Sequence, residues 1–389
     1  MNEHLTHNIQ DEKLCINFNG RIDASNAGNV EDEIAGICAS EGKKVAIIDA
    51  QELEYISSAG LRIILRLRKE EPELTIINVS QEVYEILDMT GFTEMINVKK
   101  AYRRLSIEGC ERIGKGANGA VYRYDAETIV KIYFNSDALP EIQRERELAR
   151  KALILGVNTA IPYDIVRIGD SYGTVMELLA AESLSKMILN DPDNLEEPLK
   201  YYVDMLKQIH ATKVKPGEIP NMKEKALKWA AFDRDYLDKE TGDKLYKLIE
   251  DIPDTCNMLH GDYHTSNVMV RDGEAILIDM DTLCMGHPIY ELGFMFNSFM
   301  GFAEYNKSTT LMGLPYELAN KFWHMALSMY IGTDDKEKLT EIEDKARIIG
   351  YMRLLRRTVR RDEPDKEELF KLYKGRLEEL IPKFETLIF

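Results

Sequence analysis

Apolar and polar positions change period several times along the first hundred residues. Leu14, Ile16 and Phe18 alternate with polar neighbours, the period of a half-buried strand. Between Ser25 and Ser40 the apolar residues Val30, Ile34 and Ile37 recur at helical spacing. Val45–Ile48 is a continuous apolar run ending at Asp49, as in a short buried strand. Gly60–Glu70 reads as a second helix through Leu61, Ile64, Leu65 and Leu67. Leu74–Val79 reads as a strand, and Ser80–Met89 as a third helix closed by Gly91. Alternating strands and helices predict an α/β sandwich, with helices against a mainly mixed sheet.

The pattern changes after Val98. Residues 99–106, KKAYRRLS, carry no Pro-, Gly- or Ser-rich tether and predict a short linker that keeps two domains close. Beyond it, alternation around Ile107–Ile113 and Val121–Tyr124 predicts a hairpin, Thr128–Tyr133 a strand and Ile142–Leu155 a helix. The stretches 192–249 and 301–389 are helix-rich by periodicity. A chain of 389 residues accommodates two or three domains, and 44% hydrophobic with 30% charged residues suits globular ones. Apolar runs such as Val45–Ile48 and Ile63–Leu65 are too short to span a bilayer, so no membrane partner is expected. The opening MNEHLTHNIQDEK has no signal-peptide core, and five scattered cysteines form no CxxC pair. A reducing cytoplasm is the expected location. The net charge of -17, acidic in both halves, argues against nucleic-acid binding.

Candidate chemistry lies in the second region. Residues 113–122, IGKGANGAVY, place Gly114, Gly116 and Gly119 as GxGxxG ahead of Val121. Glycines there let backbone amides approach phosphate oxygens without a side-chain clash. A dinucleotide-binding strand-to-helix turn is disfavoured, because no helix pattern follows. Lys131 is embedded in the next strand, placed to hold nucleotide phosphates. On the following helix Glu145 shares a face with Leu148, Ala149 and Ala152 and is the candidate partner of Lys131, whereas Glu147 falls on the polar side. His260-Gly-Asp-Tyr-His-Thr-Ser-Asn267 is followed by an apolar strand ending in Asp279-Met-Asp281. Asp262 can orient an acceptor hydroxyl and take its proton. Asn267 and Asp279 can supply oxygen ligands to Mg²⁺, and Asp281 is either a second carboxylate or structural. His260 and His264 lack the third ligand of a zinc site. Arg347, Arg353, Arg356, Arg357, Arg360 and Arg361 form the one dense basic stretch, read as a salt-bridged helix rather than an anionic-ligand site.

Two resemblances follow from these runs. GRIDASNA, VAIIDAQELEYISSAGLRIIL and EILDMTGFTEMINV resemble the STAS domains of bacterial anti-sigma-factor antagonists, over most of residues 12–98. HGDxHxxN, IDMD and the glycine loop resemble the aminoglycoside and choline phosphotransferase branch of the kinase-like fold, over about residues 107–300. The second resemblance implies ATP and Mg²⁺ as cofactors, with adenine contacted by the strand and hinge 173–179 at Met176, Glu177 and Leu178. It also implies a structural role for the PIYELG acid, Glu291. The first implies a phosphorylated serine at Ser58, or at Ser57, and an anti-sigma-factor-like protein partner. Ser58, just ahead of a helix expected from Ala59, sits at or beside its N-cap. The expected fold is α/β plus α+β: a STAS-type sandwich over 1–98, then a bilobal kinase-like domain over 107–389. Its N-lobe runs to about residue 178, and its C-lobe is helical. Three functions remain open: a kinase of a small alcohol or amine, a switch that phosphorylates Ser58, and a nucleotide-binding scaffold. The intact set Lys131, Asp262, Asn267 and Asp279 argues against the last.

Overall fold

The computed structural model describes residues 5–10, 12–116, 119–136, 138–307, 310–362 and 365–389. The chain divides into two compact units, Met1–Ser106 and Ile107–Phe389.

In the first unit the strands Leu5–Gln10, Lys13–Ile22, Val45–Ile56, Thr75–Val79 and Asn97–Lys100 lie side by side in chain order. The first pair is antiparallel and the other pairings are parallel, so the sheet is mixed. The helices Ala27–Glu41, Ser58–Glu70 and Gln81–Met89 pack Val30, Ile34, Ile63, Ile64, Leu67, Val83 and Leu87 into one core with Phe18, Ile48 and Ile76. Two strands exceed the sequence expectation. Leu5–Gln10 buries little beyond Leu5, and its pairing with Lys13–Ile22 defines it rather than its own pattern. The strand from Val45 runs on to Ile56, because Leu53 and Ile56 are buried between polar residues.

In the second unit an antiparallel sheet carries the strands Glu111–Lys115, Gly119–Arg123, Thr128–Tyr133, Ser171–Glu177 and Pro162–Ile168, in that spatial order. The first strand starts later than expected, because residues 107–110 form a turn with Gly109 at φ +81°. Helix Leu139–Ile154 packs on this sheet through Ile142, Leu148, Ala149 and Ala152. The rest of the unit is helical, apart from short strand pairs. One large core joins the helices Glu196–Ala211, Met222–Asp233, Ile289–Phe299, Tyr316–Ile331 and Lys336–Arg360. Hairpin Val268–Arg271/Glu274–Leu277 lies against this lobe and brings the chain to Asp279. Among the described residues no helix is long and apolar enough to cross a membrane.

Candidate active site

Lys131 stands mid-strand, directly opposite Val121 on one neighbouring strand and Thr174 on the other. Directly opposed residues share a sheet face, so Val121, Lys131 and Thr174 look the same way. The Lys131 ammonium lies 2.8 Å from the Glu145 carboxylate and 2.9 Å from that of Asp279. Burial pushes this lysine down, but Glu145 and Asp279 push it up harder, so it stays charged. Glu145 is also held by the Tyr133 hydroxyl, which donates to it at 2.6 Å, whereas Glu147 is exposed. The hairpin ahead of Lys131 closes with the Gly116 N–H donating to the Gly119 carbonyl at 2.9 Å, and Gly114 pairs with Val121. Two residues of the glycine loop, 117 and 118, lie outside the described residues.

The segment His260–Asn267 lies between Met258–Leu259 and Val268–Arg271 and is braced through its backbone. Glu291, fully buried in the first turn of its helix, accepts from the N–H groups of His260 (2.5 Å) and Gly261 (3.0 Å). Burial pushes the Glu291 carboxyl up to about 7, and these backbone donors restrain the rise. His260 Nε2 donates to the Ile278 carbonyl (3.1 Å), and its Nδ1 accepts from the Asp262 N–H (3.3 Å), tying the loop to the strand before Asp279. Gly261 has φ +82°, and a side chain there would run into the Thr282 carbonyl, so this turn needs glycine.

The loop thus presents Asp262. Burial pushes its carboxyl up, but His264 at 3.7 Å and Arg353 at 4.0 Å outweigh that and hold it at about 2. Asn267 Nδ2 donates to the Asp262 carbonyl at 3.0 Å, which leaves its Oδ1 as the atom able to meet a cation. Asp279 takes a left-handed conformation, φ +63°, uncommon for a non-glycine residue, and this turns its carboxylate to Lys131. Asp281 follows within the same turn; burial and the charges of Asp279 and Glu145 push it up to about 7. Among the described residues no group of three or more His, Cys, Asp and Glu side chains is placed to hold a metal ion alone, His260 and His264 included.

Met176 lies opposite Ile129, and the Glu177 carboxylate accepts from Arg271 at 2.6 Å. Leu178, expected with Met176 and Glu177 to contact adenine, donates its N–H to the Glu127 carbonyl at 2.7 Å. Successive amides point to opposite sides of an extended chain, which turns the Glu177 carbonyl and the Leu179 N–H the other way. Sequence reasoning missed Arg353, which reaches the loop from helix Lys336–Arg360 and donates to the Gly261 carbonyl at 3.4 Å.

In the first unit the helix start is corrected. The helix begins at Ser58, not Ala59, and the N-cap is Ser57, whose hydroxyl accepts from the Ala59 N–H at 3.2 Å. Ser58 is the exposed first helical residue. Gly60 is buried behind it, where a Cβ would meet the Ile56 side chain at 2.6 Å, so glycine lets the helix start sit on the strands.

Known proteins resemble both units. The family model described as the phosphotransferase enzyme family matches residues 109–307, and that of the STAS domain matches residues 4–105. BtrV of Bordetella bronchiseptica, assigned as an anti-sigma factor antagonist, is 32% identical over 98 residues, 24% of this chain and 84% of that protein. The anti-sigma-B factor antagonist of Listeria monocytogenes is 30% identical over 84 residues, 21% of this chain and 73% of that protein. Among solved structures, ADP-bound aminoglycoside phosphotransferase APH(2'')-Ib aligns with TM-score 0.50 at 16% identity, covering 77% of this chain and 98% of that one. That similarity shows the kinase-like fold. The chain belongs to the phosphotransferase enzyme family and carries a STAS domain ahead of its phosphotransferase domain.

Proposed function

We propose that the second unit transfers the γ-phosphoryl group of ATP, with Mg²⁺, to a hydroxyl or amine of a small-molecule acceptor. The observation that carries this is the Lys131 ammonium held between Glu145 and Asp279, with the strand end before Asp279 tied to the His260–Asn267 loop through the Ile278 carbonyl. Gly114, Gly116 and Gly119 cover the phosphates, Val121 and Met176 flank the base, and Lys131 holds the α- and β-phosphates. The Glu177 carbonyl and the Leu179 N–H meet the adenine edge. The residues present fit Mg²⁺, which takes one or two carboxylates together with substrate phosphates and water rather than an all-protein cage. Asn267 Oδ1 and Asp279 would hold it, and the crowding of Asp279 and Asp281 beside Glu145 suits a cation. Bound there, it supplies charge neutralisation at the phosphates.

Asp262 orients the acceptor hydroxyl. The acceptor oxygen forms a bond to the γ-phosphorus, the bond from that phosphorus to the bridging oxygen of ADP breaks, and the acceptor proton passes to the Asp262 carboxylate. A carboxyl held at about 2 is a weak base. Its contribution is therefore positioning, with proton transfer late in a loose transition state.

A second reading rests on Ser58, exposed at the first helical position. There the phosphoryl acceptor is this serine, on the same or another copy, and the added charge changes how an anti-sigma-factor-like protein binds. Incubation of purified protein with ATP and Mg²⁺, followed by intact mass and peptide mapping, separates the two. Turnover only with an added small molecule supports the first reading; a phosphate on Ser58 or Ser57 supports the second. No ATP consumption under either condition contradicts both.

A further inference from the structure

The basic stretch of helix Lys336–Arg360 is not uniformly salt-bridged. Arg347 pairs with Glu343 at 2.9 Å and Asp344 at 3.3 Å, and Lys345 with Glu341 at 2.6 Å. About two to three turns on, Arg353 and Arg356 share a face that meets different company. The Arg353 guanidinium lies 4.0 Å from the Asp262 carboxylate and 4.5 Å from the centre of the Phe294 ring. Phe294 lies 6.0 Å from Trp229, and the Trp229 ring has two cations over it, Lys225 at 5.3 Å and Arg356 at 5.5 Å. Asp262, Arg353, Phe294, Trp229, Arg356 and Lys225 therefore form one continuous run of contacts, with the two aromatic rings buried beneath the charged groups.

Arg353 is paired with Asp262, but the other two cations of this run are not paired. Among the described residues neither Lys225 nor Arg356 has a carboxylate within ion-pair distance. Asp233, the carboxyl facing Arg356, is fully buried with neither oxygen hydrogen-bonded, and burial pushes it up to about 8. It is thus largely protonated at neutral pH and does not cancel Arg356. Burial and the neighbouring charges of Arg353, Arg144 and Arg356 hold Lys225 below the usual lysine range, against an opposing pull from Cys284. In a chain of net charge -17, two unpaired cations on one face are set against the overall trend. A polyamine would be repelled here, whereas an anion would be drawn in and held between two donors on an aromatic floor.

Resting on the phosphotransferase reading, we propose that the acceptor is a small hydroxylated anion, a carboxylate or a phosphate monoester. Its acidic group lies between Lys225 and Arg356 against Trp229, and its hydroxyl is presented to Asp262. The test is calorimetry on the full chain with Mg·ADP bound. The probes are inorganic phosphate, glycerol 3-phosphate and D-glycerate, set against ethanolamine and spermidine. The anions should bind at millimolar concentration and the amines should not; phosphate esters and glycerate together tell phosphate from carboxylate preference. The double variant Lys225→Gln/Arg356→Gln should weaken anion binding at least about tenfold while Mg·ADP still binds. The reversal Lys225→Glu/Arg356→Glu should make spermidine the better ligand. Preferential binding of the amines to the unmodified chain, anion binding unchanged in the double variant, or no anion binding while Mg·ADP binds would each overturn the proposal. Failure to bind Mg·ADP at all would instead sink the phosphotransferase reading beneath it.

Discussion

The two units use buried polarity in opposite ways. Every buried polar or charged side chain identified among the described residues, from Thr159 to Thr358, belongs to the second unit. In the first unit the core is aliphatic with Phe18 and Phe92, and the shifted groups are Cys15, Cys38 and Tyr84, all raised mainly by burial. The second unit buries Glu291, His260 and Asp233 and crowds Lys131, Asp262 and Asp281 into one cleft. Buried charge is costly unless it is paired or used. The difference locates the chemistry: the first unit is built to fold and present a surface, the second to hold groups in shifted states.

The comparison is broken most sharply at Asp262. Asp262→Ala should lower kcat about 10³-fold, some 4 kcal/mol of transition-state stabilisation, while Mg·ATP affinity stays nearly constant. Steady-state kinetics with nucleotide calorimetry checks this, and an equal loss of both would make the loop structural. Next, Phe18→Ala, at a fully buried position, should destabilise the first unit by about 3–5 kcal/mol in urea unfolding and leave Mg·ATP binding intact.

Asp233 tests the cost of buried charge. Its carboxyl is raised from 3.8 to about 8, so the folded chain keeps a proton that the unfolded chain loses near pH 4. Stability therefore falls as pH rises from about 4 to about 8 and levels above that. Asp233→Asn removes this dependence, and at pH 8 the variant should be more stable by about 1–3 kcal/mol. Thermal melts of both proteins from pH 5 to 8 give the answer; parallel curves would mean the carboxyl is satisfied. The smallest effect is expected at Ser58. Phosphate at the first helical position faces the positive end of the helix and should change stability by under about 1 kcal/mol, with no unfolding. A melt of the stoichiometrically phosphorylated domain well below the unmodified one would remove Ser58 as a switch.

How much was legible follows from chain separation. Asp262 and Asn267 belong to one loop, and Lys131 and Glu145 are set by strand position and helix periodicity, so motif spacing and the family resemblance brought them forward as candidates. Arg353 reaches Asp262 across some ninety residues, and nothing in its local pattern distinguishes it from Arg347, which is salt-bridged. The choice between Ser57 and Ser58 as cap turned on a single hydrogen bond, and the strand Leu5–Gln10 on pairing with its neighbour. The arginine and the strand come from tertiary contacts, and the cap from local backbone geometry that two adjacent serines do not distinguish in sequence.

The central claim is that Lys131, Asn267 and Asp279 form a metal-nucleotide site. Its most direct test is calorimetric titration of ATP into the chain and into Asp279→Asn, with and without Mg²⁺. The account predicts that Mg²⁺ strengthens ATP binding to the unmodified chain and that the variant loses this enhancement along with turnover. Unchanged Mg·ATP affinity and activity in Asp279→Asn would contradict it.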